Sequence, residues 1–181
     1  MKTIPDKPGT VLQWQRLKGT SCITYELYHE NDPVARLYWT KPLGSLAIGE
    51  SANGKWTFKR IGFFATPVSI RKEDAVSDFG LFNPNWKGDG YVTLEGGKTF
   101  YWKSNSFWKS NVILTDDAGN AVLTMNHNGT ASLEMAQIIT GSSKTDSATL
   151  TLLAILAIYV GVLAMQDDGA SLAAIIAAVI S

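Results

Sequence analysis

The 181 residues suffice for one domain with a substantial core, and 16 Lys and Arg balance 16 Asp and Glu, so no net field marks the chain for nucleic acid. Cys22 is the sole cysteine, which excludes an intramolecular disulfide and a multi-thiolate metal site and points to a reducing, cytoplasmic setting. Pro5 and Pro8 interrupt the N-terminal stretch where a secretory leader needs an apolar run.

From Val11 to Gln137 the apolar residues recur with period two, broken at short intervals by turn residues, which predicts consecutive antiparallel strands. Ile23, Tyr25 and Leu27 alternate with Thr24 and Glu26, and Trp56 and Phe58 alternate with Lys55, Thr57 and Lys59. The pattern continues through Val92 and Leu94, Phe100 and Trp102, Leu123 and Met125, and Leu133 and Met135. Each such strand covers a core with one face. The strings HEND, SANG, EGG, DDAG and NHNG between them carry the Asn, Asp and Gly that tight hairpins require. The longest break, Glu73 to Gly90, still holds Phe79, Leu81, Phe82 and Trp86, and reads as a lid or as the crossover between two halves of a barrel.

Beyond Gln137 the pattern changes. Asp146 or Ser147 is placed to cap a helix, and Ala148 to Met165 is 18 residues without a charge, about 27 Å of helix. The expected helix, 147–165, meets the length threshold for a bilayer span, yet no Lys or Arg cluster and no Trp stands at either end, and Asp167 and Asp168 follow it. A closed sheet of ten or more strands leaves an interior that its own side chains do not fill, and a helix with no polar face suits that space. Ala154, Ala157, Gly161 and Ala164 form a small-residue stripe, suited either to large inward side chains of a barrel or to a membrane dimer seam. The barrel reading is preferred: a mainly β fold, a closed antiparallel barrel of about twelve strands wrapped around a central hydrophobic C-terminal helix. A second apolar run, residues 171–180, is expected to form a short helix that lies across the barrel mouth, contacts an oligomer or protein partner, or anchors at an interface.

This order of elements, together with SANGKWTFKR, LTDDAGNAVLTM and YVGVLAMQDD, resembles the Tubby C-terminal-like superfamily, which includes Tubby proteins, LURP-one-related proteins and phospholipid scramblases. The resemblance implies a twelve-stranded barrel around a hydrophobic C-terminal helix, with activities that range from phosphoinositide binding to proposed lipid scrambling. The cysteine cluster of the scramblases is absent here, and no lipid-binding motif of the family aligns to particular residues.

No motif supports catalysis or a cofactor. His29 and His127 fall in expected turns without metal-ligand spacing, and no nucleophile elbow or phosphate-cradling loop is present. The residues that invite a function are basic and aromatic. Residues 55–109 carry nine Lys or Arg against five Asp or Glu, a local +4. Lys55, Lys59, Arg60, Arg71 and Lys72 fall on neighbouring expected strands, a candidate patch for an anionic headgroup. The repeated WKSN places Lys103 and Lys109 beside Trp102 and Trp108, and NWKG pairs Trp86 with Lys87, the combination that settles at a membrane surface. Trp102 is expected to face the core, leaving Trp86 and Trp108 as interface aromatics. The expectation is a non-enzymatic, cytoplasmic binding module, peripheral to a membrane, with anionic phospholipid as its ligand. The alternatives are an integral membrane protein anchored by 148–165, a structural or protein-interaction domain, and an enzyme with a pocket under the 73–90 segment.

Overall fold

The computed structural model describes residues 1–42, 44–62, 67–104, 111–127 and 134–167. Twelve strands alternate in direction, each bonded to its neighbours in the chain, and β1 (Val11–Arg16) pairs with β12 (Met135–Thr140) to close the barrel. Between them run β2 (Thr24–His29), β3 (Asp32–Trp39), β4 (Ala47–Ser51), β5 (Gly54–Arg60), β6 (Val68–Lys72) and β7 (Gly80–Pro84). The second half holds β8 (Gly90–Leu94), β9 (Thr99–Ser104), β10 (Asn111–Thr115) and β11 (Ala121–His127). Closure leaves no unpaired edge among the described strands.

Inside lies α1 (Ser147–Asp167). All ten residues from Leu150 to Tyr159 are buried, and ten consecutive residues cover every face of a helix, so the sheet surrounds it. This segment is long and apolar enough to cross a membrane, and 72% of its most apolar window is enclosed by the chain itself. The N-terminus of α1 is set by Asp146, whose Oδ1 accepts the Thr149 N–H at 2.8 Å while Oδ2 accepts the Thr149 hydroxyl at 2.8 Å. Of the two expected caps, Asp146 serves; the Ser147 hydroxyl instead donates to the Ile4 carbonyl at 3.2 Å.

The wall accommodates the helix by pairing small with large. Gly49 faces inward on β4, and a Cβ built there would lie 2.7 Å from Ile155 Cγ2 and 2.8 Å from Phe58 Cε2. Toward the other end of α1, Tyr159 stacks on Trp39 with ring centroids 5.7 Å apart and leans on Phe58 at 5.5 Å. Its hydroxyl donates to the Ser45 carbonyl at 2.5 Å, which satisfies the one polar atom that this ring carries into the core. Burial pushes the Tyr159 phenol well above the ordinary tyrosine range.

The alternation places Ile23, Tyr25, Leu27, Trp56, Phe58, Val92, Leu94, Phe100, Trp102, Leu123 and Met125 inward, as the sequence implies. The last strand corrects it. Met135 is 55% exposed and Ala136 and Ile138 are buried, so β12, from Met135 to Thr140, has the opposite phase to the one expected at Met135, while Leu133 lies outside the described residues. With a side-chain period of two, a one-residue slip turns every side chain to the other face. The 73–90 segment is also corrected, since β7 passes through it with Phe82 1% exposed. Gly80 there is a packing residue rather than a loop breaker: a Cβ on it would lie 2.7 Å from Leu94 Cδ2. His127 is the third correction, being 8% exposed at the end of β11 rather than in a solvated turn.

Candidate functional site

Because every strand pair is antiparallel, the barrel has two distinct ends. At the entry end, where α1 begins, lie the first residues of the odd strands, and Asn53 in the β4–β5 turn donates to Thr151 Oγ1 at 3.3 Å. At the exit end, where α1 finishes, lie the first residues of the even strands, and Arg60 holds Asp167 with Nη1 at 2.7 Å from each carboxylate oxygen. That ion pair offsets a carboxylate placed unfavourably at the negative end of the helix dipole.

The five cations expected on neighbouring strands divide between these ends. Lys55, Arg71 and Lys72 lie toward the entry end, and Lys59 and Arg60 toward the exit end. Four of the five are neutralised. Lys55 Nζ sits 2.9 Å from Glu73 and 3.2 Å from Glu50, and these two carboxylates raise its pKa above the usual lysine range. Arg71 donates to Asp78 at 2.6 Å, and Ser69 and Arg71 together hold that carboxyl below the usual aspartate range. Lys72 pairs with Glu95 at 3.5 Å and lies 4.1 Å from the Phe79 ring centroid. Among the described residues, Lys59 and Lys103 make no ion pair.

The β7–β8 turn, 85–89, projects from the exit end. Asn85 Oδ1 accepts the Lys87 N–H at 2.9 Å, and Asn85 N–H donates to the Asp89 carbonyl at 2.7 Å, so the turn is braced at its base. Trp86 at its tip is 85% exposed, with Lys87 Nζ 5.0 Å from its ring centroid. Below it the outward Tyr91 and Tyr101 are cross-strand partners, 45% and 43% exposed. With Asn83, Asp89 and Lys103 they line a shallow groove of about 390 Å³. A second cleft, about 580 Å³, opens at the entry end beside Lys7, Lys144 and Asp146.

Trp102 is 3% exposed and Lys103 points outward, as alternation requires. Trp108, Lys109 and the run 171–180 lie outside the described residues. On α1, Ala154 and Ala157 are fully buried, whereas Gly161 and Ala164 are half-buried near the exit mouth. His29 and His127 end β2 and β11 at opposite ends of the barrel, so they share no site, and among the described residues no three His, Cys, Asp or Glu side chains are grouped to hold a metal. Sequence reasoning missed Tyr91 and Tyr101. Both are aromatic residues out of phase with the apolar alternation of their strands, and that was the available signal.

Comparisons with family models, with curated proteins and with solved structures find no match for this chain.

Proposed function

We propose that this chain is a non-enzymatic binding module that associates with anionic phospholipid at a membrane surface. The observation that carries the reading is Trp86. A tryptophan 85% exposed at the tip of a braced turn, with a lysine over its ring, places a large apolar surface in water for no benefit to the fold. At a bilayer the same ring sits at headgroup level and the ammonium reaches phosphate. Tyr91, Tyr101 and Lys103 extend this aromatic and basic character down the adjacent wall. The neutralised cations Lys55, Arg71 and Lys72 take a structural role in this reading, tying β4 to β8 by cross-strand and turn contacts.

Kinship with the Tubby C-terminal-like superfamily is part of the proposal, and a twelve-strand barrel closed around a C-terminal helix supports it. A cytoplasmic location peripheral to the membrane follows from the same reading. The test is co-sedimentation of the native chain with vesicles of neutral phosphatidylcholine and with vesicles that also carry phosphatidylserine or a phosphoinositide. Preference for the anionic vesicles, weakened by Trp86→Ala, is expected. Equal partitioning onto both overturns the reading.

A further inference from the structure

The barrel is polarised. Arg16, Lys18, Lys41, Lys59, Arg60, Lys87 and Lys103 lie in or beside the exit-end connections, against Asp89, Glu134 and Asp167, a net of +4. The chain carries 16 charges of each sign; Glu26 and Arg36 cancel as a pair at mid-wall, and Lys109 and Asp168, outside the described residues, cancel each other. The entry end is therefore at −4. A chain with zero net charge thus has a strongly basic end and a strongly acidic end separated by the length of α1, 21 residues or about 30 Å.

The basic end also carries exposed apolar side chains. Leu46, Ile61 and Trp86 from three exit-end connections, and Met135 at the exit-end start of β12, are 39%, 50%, 85% and 55% exposed. These side chains lie at the same end of the barrel as Lys41, Lys59, Arg60, Lys87 and Lys103. The entry end also exposes apolar side chains, Val11 at 48% and Val76 at 93%, but Val76 stands among carboxylates that include Glu73, Asp74 and Asp78.

From this distribution we infer that the exit-end rim is the docking face, and that the chain seats on an anionic bilayer with the axis of α1 pointing its C-terminal end at the lipid. The inference rests on the membrane reading above and adds the face and the orientation to it. The rim offers both components of interfacial binding, cations for lipid phosphate and carboxylate, and apolar tips for the headgroup boundary. The screening length in physiological salt is about 8 Å, so a surface touching the rim does not feel the acidic end about 30 Å away. Approach by the acidic end is repelled at the same range, and this orients the encounter as well as the complex.

Two variants of equal net charge test it. Lys41→Gln with Lys59→Gln removes two exposed rim cations; Lys7→Gln with Lys144→Gln removes two exposed cations at the entry end. Partitioning is measured on vesicles of phosphatidylcholine with phosphatidylserine. The rim pair is expected to lose about fivefold per lysine, about 25-fold in all, from the usual worth of a cation at an anionic leaflet. The entry-end pair is expected to change by less than twofold. Equal losses for the two pairs, or no loss for the rim pair, overturn the orientation while native binding leaves the membrane reading standing. Failure of the native chain to prefer anionic vesicles overturns both. Self-association in the absence of lipid that the rim pair abolishes would assign the rim to a second copy of the chain and overturn the inference.

Discussion

Gly49→Ala probes the fit between wall and helix most sharply. The added methyl would lie 2.7 Å from Ile155 Cγ2 and 2.8 Å from Phe58 Cε2, roughly an ångström inside ordinary carbon contact. Ile155 and Phe58 are fully buried and Gly49's strand partner Trp56 is only 4% exposed, so neither ring nor methyl has free space to retreat into. Overpacking of this kind costs about 1–3 kcal/mol, against about 0.4–1 kcal/mol returned by the reduced freedom of the unfolded chain. The net expectation is a loss of about 0.5–2 kcal/mol. Ile155→Ala alone leaves a cavity costing about 2–5 kcal/mol. Combined, the two changes should cost less than their sum by about 1 kcal/mol, because deleting Ile155 Cγ2 removes the nearer clash while the Phe58 contact stays. Urea unfolding followed by tryptophan fluorescence measures all four corners of the cycle. Strict additivity would refute the argument, because it would mean that β4 and α1 do not touch here.

Three further outcomes follow from the same geometry. Tyr159→Phe should lose about 1–2 kcal/mol, measured by urea unfolding, since it removes a buried hydrogen bond and leaves the Ser45 carbonyl without that donor. Asp146→Ala should cost about 1 kcal/mol through loss of the N-cap. Burial raises the Asp146 pKa, but the bonds from Thr149 and Lys98 outweigh it and hold the carboxyl below the ordinary aspartate value. Its contribution is thus complete at neutral pH and is lost as pH falls through the folded value, which lies below the ordinary aspartate value, so the melting-temperature deficit of the variant should shrink progressively as pH falls below about 4. Trp86→Ala, by contrast, should leave stability within about 0.5 kcal/mol of native, because the ring touches little but Lys87; a larger change in the urea midpoint would assign Trp86 to the fold rather than to a ligand.

The architecture was legible because two periodicities of different length divide the chain cleanly. Residues such as Trp56, Phe58, Phe100 and Trp102 alternate strictly, and Ala148–Met165 has no polar face for water to meet. β7 was hidden because its five residues carry Gly80 and Pro84, the same residue types that mark loops; Gly80 is there for the close approach of Leu94. The phase of β12 was misread because Met135 is apolar yet faces water, and Ala136 is small yet faces the core. The candidate site was less legible for a different reason. Alternation locates outward side chains but does not reveal which of them find partners across strands, and Glu50, Glu73, Asp78 and Glu95 neutralise Lys55, Arg71 and Lys72 from positions that no spacing rule links to them. The separation of charge between the two ends likewise depends on strand direction, which converts neighbours in sequence into opposite poles of the barrel.

The central claim is that α1 from Leu150 to Tyr159 is wrapped by its own sheet and meets neither water nor acyl chains. A single cysteine placed at Ala157, fully buried at mid-helix, in a Cys22→Ser background tests it through the rate of modification by a lipid-soluble maleimide, with and without anionic vesicles. The enclosed helix predicts that this thiol reacts only when the chain unfolds globally, and that vesicles do not change the rate. Rapid modification of the folded chain, or modification that vesicles accelerate, would place the helix outside the barrel and contradict the account.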